Sequence, residues 1–394
     1  MRELPGMRET LSSSPSHLRP QLKYLTGLRF FAALCIFILH ASDHGLIPND
    51  IVHIFDLSKA VSFFFVLSGF VLSYAYHLRI FSLIKFYLSR LSRIWPITFS
   101  SLLFTLLFLP QYLYLPSSSD LNNAGLILVS NILCFQSMIP IPSFYFGYNA
   151  VAWSISCELF FYLFFPFLIR LSFPKLLSLF SCISIFCCII SYWLSTSSFP
   201  FFSHSSLDSL SIHGFIYINP IFRLPEFLIG ILTYHASCLI SKHRAFLSRN
   251  IYFANLIANK LFLSDILCIF CILVCFLHAF PFAGVPVSLQ ITLNQLKSGI
   301  GFSLFIIILR HTKSFLSILL SSSPLVFLGQ ISLGLYLFHQ PFMIRFSNLG
   351  GLYFGDLNLF PPNVFFVFAY SISTSIFFHY FIERPCRRFF LAFH

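Results

Sequence analysis

The sequence predicts an all-α, polytopic transmembrane helix bundle of about ten spans with both termini in the cytoplasm, on three observations. Of its 394 residues, 57% are hydrophobic and only 9% charged, against about 25% charged in soluble domains; mean hydropathy is +0.85. Apolar runs of about 18 to 23 residues, the length that crosses a hydrocarbon core of ~30 Å, recur along the chain. The basic residues gather in short loops between alternate runs, as cytoplasmic loops do. The formal charge of +12 is thereby accounted for, and no nucleic-acid partner is expected.

Residues 1–22 are polar and rich in Ser and Pro and read as a cytoplasmic segment. The apolar run that follows is too long for a signal-peptide core, so no cleavable signal is expected. A membrane domain then occupies 23–388, and 389–394 form a cytoplasmic tail. Spans are expected near 25–43, 58–78, 94–115, 149–170, 175–196, 213–237, 261–281, 290–310, 324–345 and 362–383.

One further apolar segment, 123–138, is short, contains Asn123, Asn131 and Gln136, and is flanked by prolines. If it does not cross, one side of the membrane holds Arg79, Lys85, Arg90 and Arg93, then Arg170 and Lys175, then Lys242, Arg244, Arg249 and Lys260, then Arg310 and Lys313, and finally Arg384, Arg387 and Arg388. The other side holds Asp43, Asp50, Asp56, Asp120, Asp208 and Asp356, with Lys59 and Arg345 at span edges. A crossing would translocate Arg170 and Lys175 and invert every later basic loop. The segment is therefore expected to be re-entrant or to lie on the surface.

The first span, YLTGLRFFAALCIFILHASDHG, contains Arg29 and His40. Ionisable groups inside a span face a protein interior or a wet cavity and are functional candidates by default. Eleven positions at about 100° per residue bring the two to nearly the same face, roughly 16 Å apart along the axis. In the second span Ser68-Gly69 interrupts bulky apolar residues and reads as a packing notch. Arg90 and Arg93, three apart and on one helix face, suit phosphate oxygens or interfacial anchoring equally well. The fourth span opens with Trp153 and Ser154 and carries Glu158; the sixth carries Arg223 and Glu226, close enough to pair within a helix; the ninth carries His339. The closing Arg384, Arg387 and Arg388 read as a basic stop at the membrane surface.

Most of the eleven cysteines lie inside spans and read as small hydrophobes. His40 and His44 flank Asp43 at a ligand-like spacing, but no third ligand stands nearby, so no metal is expected.

In order, Leu28-Arg29 with ten residues to His40, FFFVLSGF at 63–70, Arg90-LS-Arg93-IWP, Trp153-Ser154 with Glu158, Arg223-LPEF with Gly230, SLGLYLFHQP at 332–341 and the closing FIERPCRR resemble the acyltransferase-3 family of integral membrane acyltransferases. The resemblance covers about residues 22 to 388. It implies a bundle of about ten helices that takes an acyl group, acetyl above all, from acyl-CoA on the cytoplasmic side and delivers it to a hydroxyl of a cell-envelope glycan or other carbohydrate on the outer side, in a bacterial inner membrane. Arg29 and His40 match the family's catalytic pair, and Arg90 and Arg93 its cytoplasmic arginine element, plausible contacts for CoA phosphates. Where relatives usually carry an acid and a small residue beside the arginine, this chain has Thr26 and Phe30.

On this reading His40 is the catalytic base or the acyl carrier, Arg29 orients the thioester or its oxyanion, and Glu158 orients an imidazole or binds the acceptor. Arg90 and Arg93 bind the donor; Trp153, Ser154, Arg223, Glu226 and His339 are candidate substrate contacts; Ser68 and Gly69 are structural. The competing class is a transporter or flippase of a glycolipid or polysaccharide, whose path Arg29, His40, Glu158 and His339 would line. Release of CoA from acetyl-CoA separates the two. Oligomeric state is not legible.

Overall fold

The computed structural model of the chain describes residues 21–48, 52, 54–109, 118–202, 207–247, 261–277, 284–312, 314–349 and 363–392. Residues 1–20 of the expected segment 1–22, residues 393–394 of the expected tail, and the charges Asp50, Arg249, Lys260, Lys313 and Asp356 lie outside these residues. The helices are α1 (Lys23–Asp43), α2 (Ala60–Tyr76), α3 (Leu83–Phe108), α4 (Ser118–Ile132), α5 (Pro142–Tyr145), α6 (Trp153–Leu168), α7 (Phe173–Ser195), α8 (Pro220–Leu247), α9 (Leu261–Phe276), α10 (Val287–His311), α11 (Phe315–Leu320), α12 (Ser323–Leu349), α13 (Val364–Phe378) and α14 (Arg384–Ala392). Among the described residues there is no strand beyond an isolated bridge between Phe55 and Leu277. The fold is an all-α multi-pass membrane bundle.

Eight helical stretches among the described residues are long and apolar enough to cross a membrane, two fewer than the ten expected spans. The expected span 324–345 is α12, whose 27 residues are long enough but diluted by Gln330, His339, Gln340 and Arg345. The expected span 261–281 is the shorter α9, apolar over Leu263–Phe276. A third difference concerns α3, which begins at Leu83 rather than at 94. The Ser82 side chain accepts from the Lys85 amide and caps the helix, and Lys and Arg are good helix formers. Helix thus starts before apolarity does, and Arg90 and Arg93 are the eighth and eleventh residues of α3, on one face of it as their spacing predicts.

The 123–138 segment turns back. Ile127 packs with Leu102 and Tyr148, the Trp95 indole donates to the Ile132 carbonyl at 2.9 Å, and the Tyr148 hydroxyl donates to the Ala124 carbonyl at 3.0 Å. α4 therefore runs antiparallel to α3 as far as Trp95, reverses at Cys134 (φ 54°), and returns to Tyr148 beside the end where it began. Fifteen residues span only about 22 Å, too little to cross alone.

α1 packs chiefly on α12, and α2 chiefly on α8. The second contact explains Gly69: a Cβ there would fall onto the Phe227 carbonyl, and one on Gly230 onto the Val66 carbonyl. The two glycines let backbones touch, the usual device between membrane helices.

Prolines inside helices free carbonyls that must be satisfied within the bundle, because lipid offers no partner. Two of them are met from neighbouring elements. Pro341 frees the Leu337 carbonyl, which accepts from Asn149 Nδ2 at 2.9 Å, and Pro225 frees that of Ile221, which lies 3.8 Å from the Cys187 thiol. Each kink is also an inter-element clamp.

Candidate active site

The clamp on Pro341 fixes the stretch of α12 that carries His339. His339 is fully buried, with Nδ1 3.1 Å from the Leu335 carbonyl and Nε2 2.8 Å from Nδ1 of His40. A carbonyl only accepts, so His339 carries its hydrogen on Nδ1, and its Nε2 lone pair receives the Nδ1–H of His40. The ring planes differ by 11° with centroids 5.1 Å apart. With the nitrogens at 2.8 Å, a separation that large means the rings meet edge to edge. The remaining nitrogen of His40, Nε2, is left with a free lone pair. That is the form a general base needs.

His40 borders an outer cavity of about 360 Å³ between the C-terminal end of α1 and the starts of α2, α6 and α10. Its walls are aromatic, from Trp153, Tyr217 and Tyr336, with Asp56, Lys59 and His213 as polar groups. Asp56 and Lys59 pair at 3.0 Å, and Ser58 bonds the same carboxylate.

Arg29 lies elsewhere. It borders an inner cavity of about 80 Å³ with Ser68, Arg93, Ser154, Glu158 and Tyr336, and also a larger cavity of about 520 Å³ at the N-terminal end of α1. Six arginines line that third space, namely Arg29, Arg79, Arg90, Arg93, Arg384 and Arg387, against the single carboxylate of Glu383. Arg29, Arg93, Gly329, Gln330 and Glu383 belong to both the inner and the basic cavity. Arg90 is held by Ser89 at 3.3 Å and lies over the Tyr76 ring. Arg384 Nε donates to His379 Nε2 at 3.0 Å, so the His379 hydrogen sits on Nδ1 and points at Glu383, 2.7 Å away. Among the described residues Arg29, Arg93 and Arg387 make no hydrogen bond or ion pair to another side chain. Three guanidinium groups are thus available to an anionic ligand.

Several expected site residues take different positions. Glu158 does not meet His40; Ser68 donates to its carboxylate at 3.1 Å, Tyr162 also donates to it, and it shares the inner cavity with Arg29. The imidazole is oriented by His339 instead. Ser68 is therefore more than a packing notch, whereas Gly69 is one. Ser154 faces the inner cavity, its hydroxyl 2.8 Å from that of Tyr336. Trp153 faces the outer one. Arg223 and Glu226, 1% and 0% exposed, line none of these cavities: they pair at 3.0 Å, and Arg223 reaches Ser62 at 3.3 Å and lies against Phe65, Trp153 and Tyr217. They brace the aromatic wall from behind.

Among the lining groups that the sequence reading does not single out are three arginines of the basic cavity. By sequence Arg384 and Arg387 read as a basic stop, and Arg79 as a loop base; the five-residue π turn His379–Glu383, ending two residues before Pro385, swings the α14 arginines into the cavity. A π turn next to a functional group was the only local signal, and sequence does not display it.

The chain matches the acyltransferase-3 family, described as an acyltransferase domain, over residues 22–380. It is 36% identical over 159 residues to "Acyltransferase MdmB" of Streptomyces mycarofaciens. That match takes in 38% of this chain and spans 40% of the relative's length. No solved structure matches. The family match takes in the arginine and histidine of α1, Arg90 and Arg93, Glu158 and His339 alike, and the chain belongs to the acyltransferase-3 family of membrane acyltransferases.

Proposed function

We propose that the chain is an O-acyltransferase that binds acyl-CoA at the basic cavity, on the cytoplasmic side of a bacterial inner membrane, and passes its acyl group, acetyl first among candidates, to a hydroxyl of a cell-envelope carbohydrate in the outer cavity. The observation that carries this reading is the succession of cavities through the bundle. A basic one shares Arg29, Arg93 and Gln330 with an inner one, which shares Val61 and Tyr336 with the one bordered by His40. Phosphates suit the arginines, and a linear pantetheine arm suits a narrow passage.

In the reaction His40 Nε2 takes the acceptor's hydroxyl proton while the oxygen attacks the thioester carbonyl. The new C–O bond forms, the C–S bond breaks, and the departing thiolate recovers the proton from the His40 imidazolium. His339 holds His40 in the required tautomer and shares the charge through the Nδ1–H bond. Eleven residues along α1 put Arg29 roughly 16 Å from His40. It therefore serves the donor, beside Glu158, rather than an oxyanion at the histidine. Aromatic faces with a carboxylate, as in Trp153, Tyr217 and Asp56, suit a sugar ring and its hydroxyls.

Thiol release from acetyl-CoA by purified protein, with a panel of cell-envelope glycans as acceptors, tests the reading. Acceptor-dependent release that is lost in His40→Ala supports it. No thiol release with any acyl-CoA, together with glycolipid movement across proteoliposomes, would assign the same cavities to transport.

A further inference from the structure

Two residues are common to the inner and outer cavities: Val61 on α2 and Tyr336 on α12. The other lining groups fall on one side, Arg29, Ser68, Ser154 and Glu158 within and His40, Trp153, His213 and Tyr217 without. The two spaces therefore come closest at Val61 and Tyr336, where an isopropyl group and a phenol stand between them and form a neck on the way from one to the other.

The neck is stiff. Val61 and Tyr336 are 4% and 5% exposed. The Tyr336 hydroxyl stands 2.8 Å from Ser154 Oγ and donates to the Val151 carbonyl at 3.1 Å, while its ring rests against Phe64 and His339, each at 6.1 Å between centroids. Rotating the ring aside would strand a buried hydroxyl. Val61, a β-branched residue in a helix, has one strongly preferred rotamer. Neither wall offers the long, adaptable side chain that a flexible gate would use.

We infer that Val61 and Tyr336 gauge the acyl group of the donor, admitting short unbranched acyl chains toward His40 and rejecting branched and aromatic ones. The inference rests on the acyl-CoA reading above and adds the acyl class to it. A hydrophobic site that only feels one extra methylene discriminates by roughly 10- to 200-fold. A bounded neck discriminates at least at the lower end of that range.

The test is equilibrium binding of the purified full chain to CoA, acetyl-CoA, isobutyryl-CoA and benzoyl-CoA, which requires no acceptor. Wild type is expected to bind acetyl-CoA at least ten-fold more tightly than isobutyryl- or benzoyl-CoA, with CoA itself as the reference. Val61→Ala should bring isobutyryl-CoA within three-fold of acetyl-CoA while leaving the affinity for CoA unchanged within two-fold. Val61→Ile, one methylene larger, should widen the gap further. Ratios that agree within two-fold among wild type, Val61→Ala and Val61→Ile overturn the gauge. A wild-type chain that fails to bind CoA at all overturns the acyl-CoA reading instead.

Discussion

His339 Nε2 accepts the Nδ1–H of His40 across 2.8 Å, joining the last turn of α1 to the middle of α12. The bond converts an ambiguous imidazole into one with a defined free nitrogen. His40→Ala is expected to abolish acyl transfer while leaving the chain inserted and able to bind CoA, as measured by thiol release beside a CoA titration. His339→Ala should lower kcat by about 100-fold, the lower part of the range for general-base catalysis, with little change in CoA affinity. His339→Gln, which can present an accepting carbonyl, should recover part of the loss.

The same geometry sets the pH dependence. Only an unprotonated His40 Nε2 can take the acceptor's proton, so kcat/KM should fall about ten-fold per pH unit on the acid side of the His40 titration. A flat acid limb with a rate-limiting chemical step would remove His40 from the role of base.

Among the described residues Arg93 and Arg387 line the basic cavity without a hydrogen-bond or ion-pair partner, so their removal should cost affinity rather than stability. Each Arg→Ala change is expected to raise the Kd for CoA about ten-fold, equivalent to about 1.4 kcal/mol, with an unchanged melting temperature. Added salt should weaken wild-type binding more than that of the double variant, since fewer exposed charges remain to be screened. Arg384 should behave differently. Its guanidinium is spent on His379, and Arg384→Ala should destabilise the end of α13 as well.

Asn149→Leu should show how the site is braced. It leaves the Leu337 carbonyl, freed by Pro341, without its donor. A loss of about 1–3 kcal/mol is expected for one stranded buried acceptor, read as a lower melting temperature, together with a fall in kcat because the kink also seats His339.

Gly230→Leu places a side chain where the Val66 backbone lies. Separation of α2 from α8 should cost at least the roughly 1–3 kcal/mol of ordinary overpacking. Ala at the same position should be milder but still destabilising.

Much of this was legible in the residues. Arg29, His40, Glu158 and His339 stood out because charge or imidazole in an apolar run is costly, and Arg90 and Arg93 because their spacing puts them on one face. What spacing could not disclose was partnership across the bundle. His40 and His339 are 299 positions apart and Ser68 and Glu158 90, and nothing local says which polar group meets which. Arg223 and Glu226 looked like site residues for the same reason that Glu158 did, yet their mutual pairing buries them behind the wall. Arg384 and Arg387 were hidden by the opposite ambiguity, since basic residues at a membrane surface have an adequate explanation without any ligand. The expected span over α12 falls short in apolarity because the helix lines three cavities and carries His339.

The reversal at Cys134 has a consequence far from its own position. A segment that enters and returns leaves the parity of the chain unchanged, so the helices after it keep the handed alternation set by those before it. One more traverse there would deliver Arg384 and Arg387 to the opposite end of the bundle from Arg29 and Arg93. The basic cavity is assembled from the beginning and the end of the sequence, and its closure depends on an even tally between them. A small turn with no charge of its own thus governs whether six arginines can line one cavity.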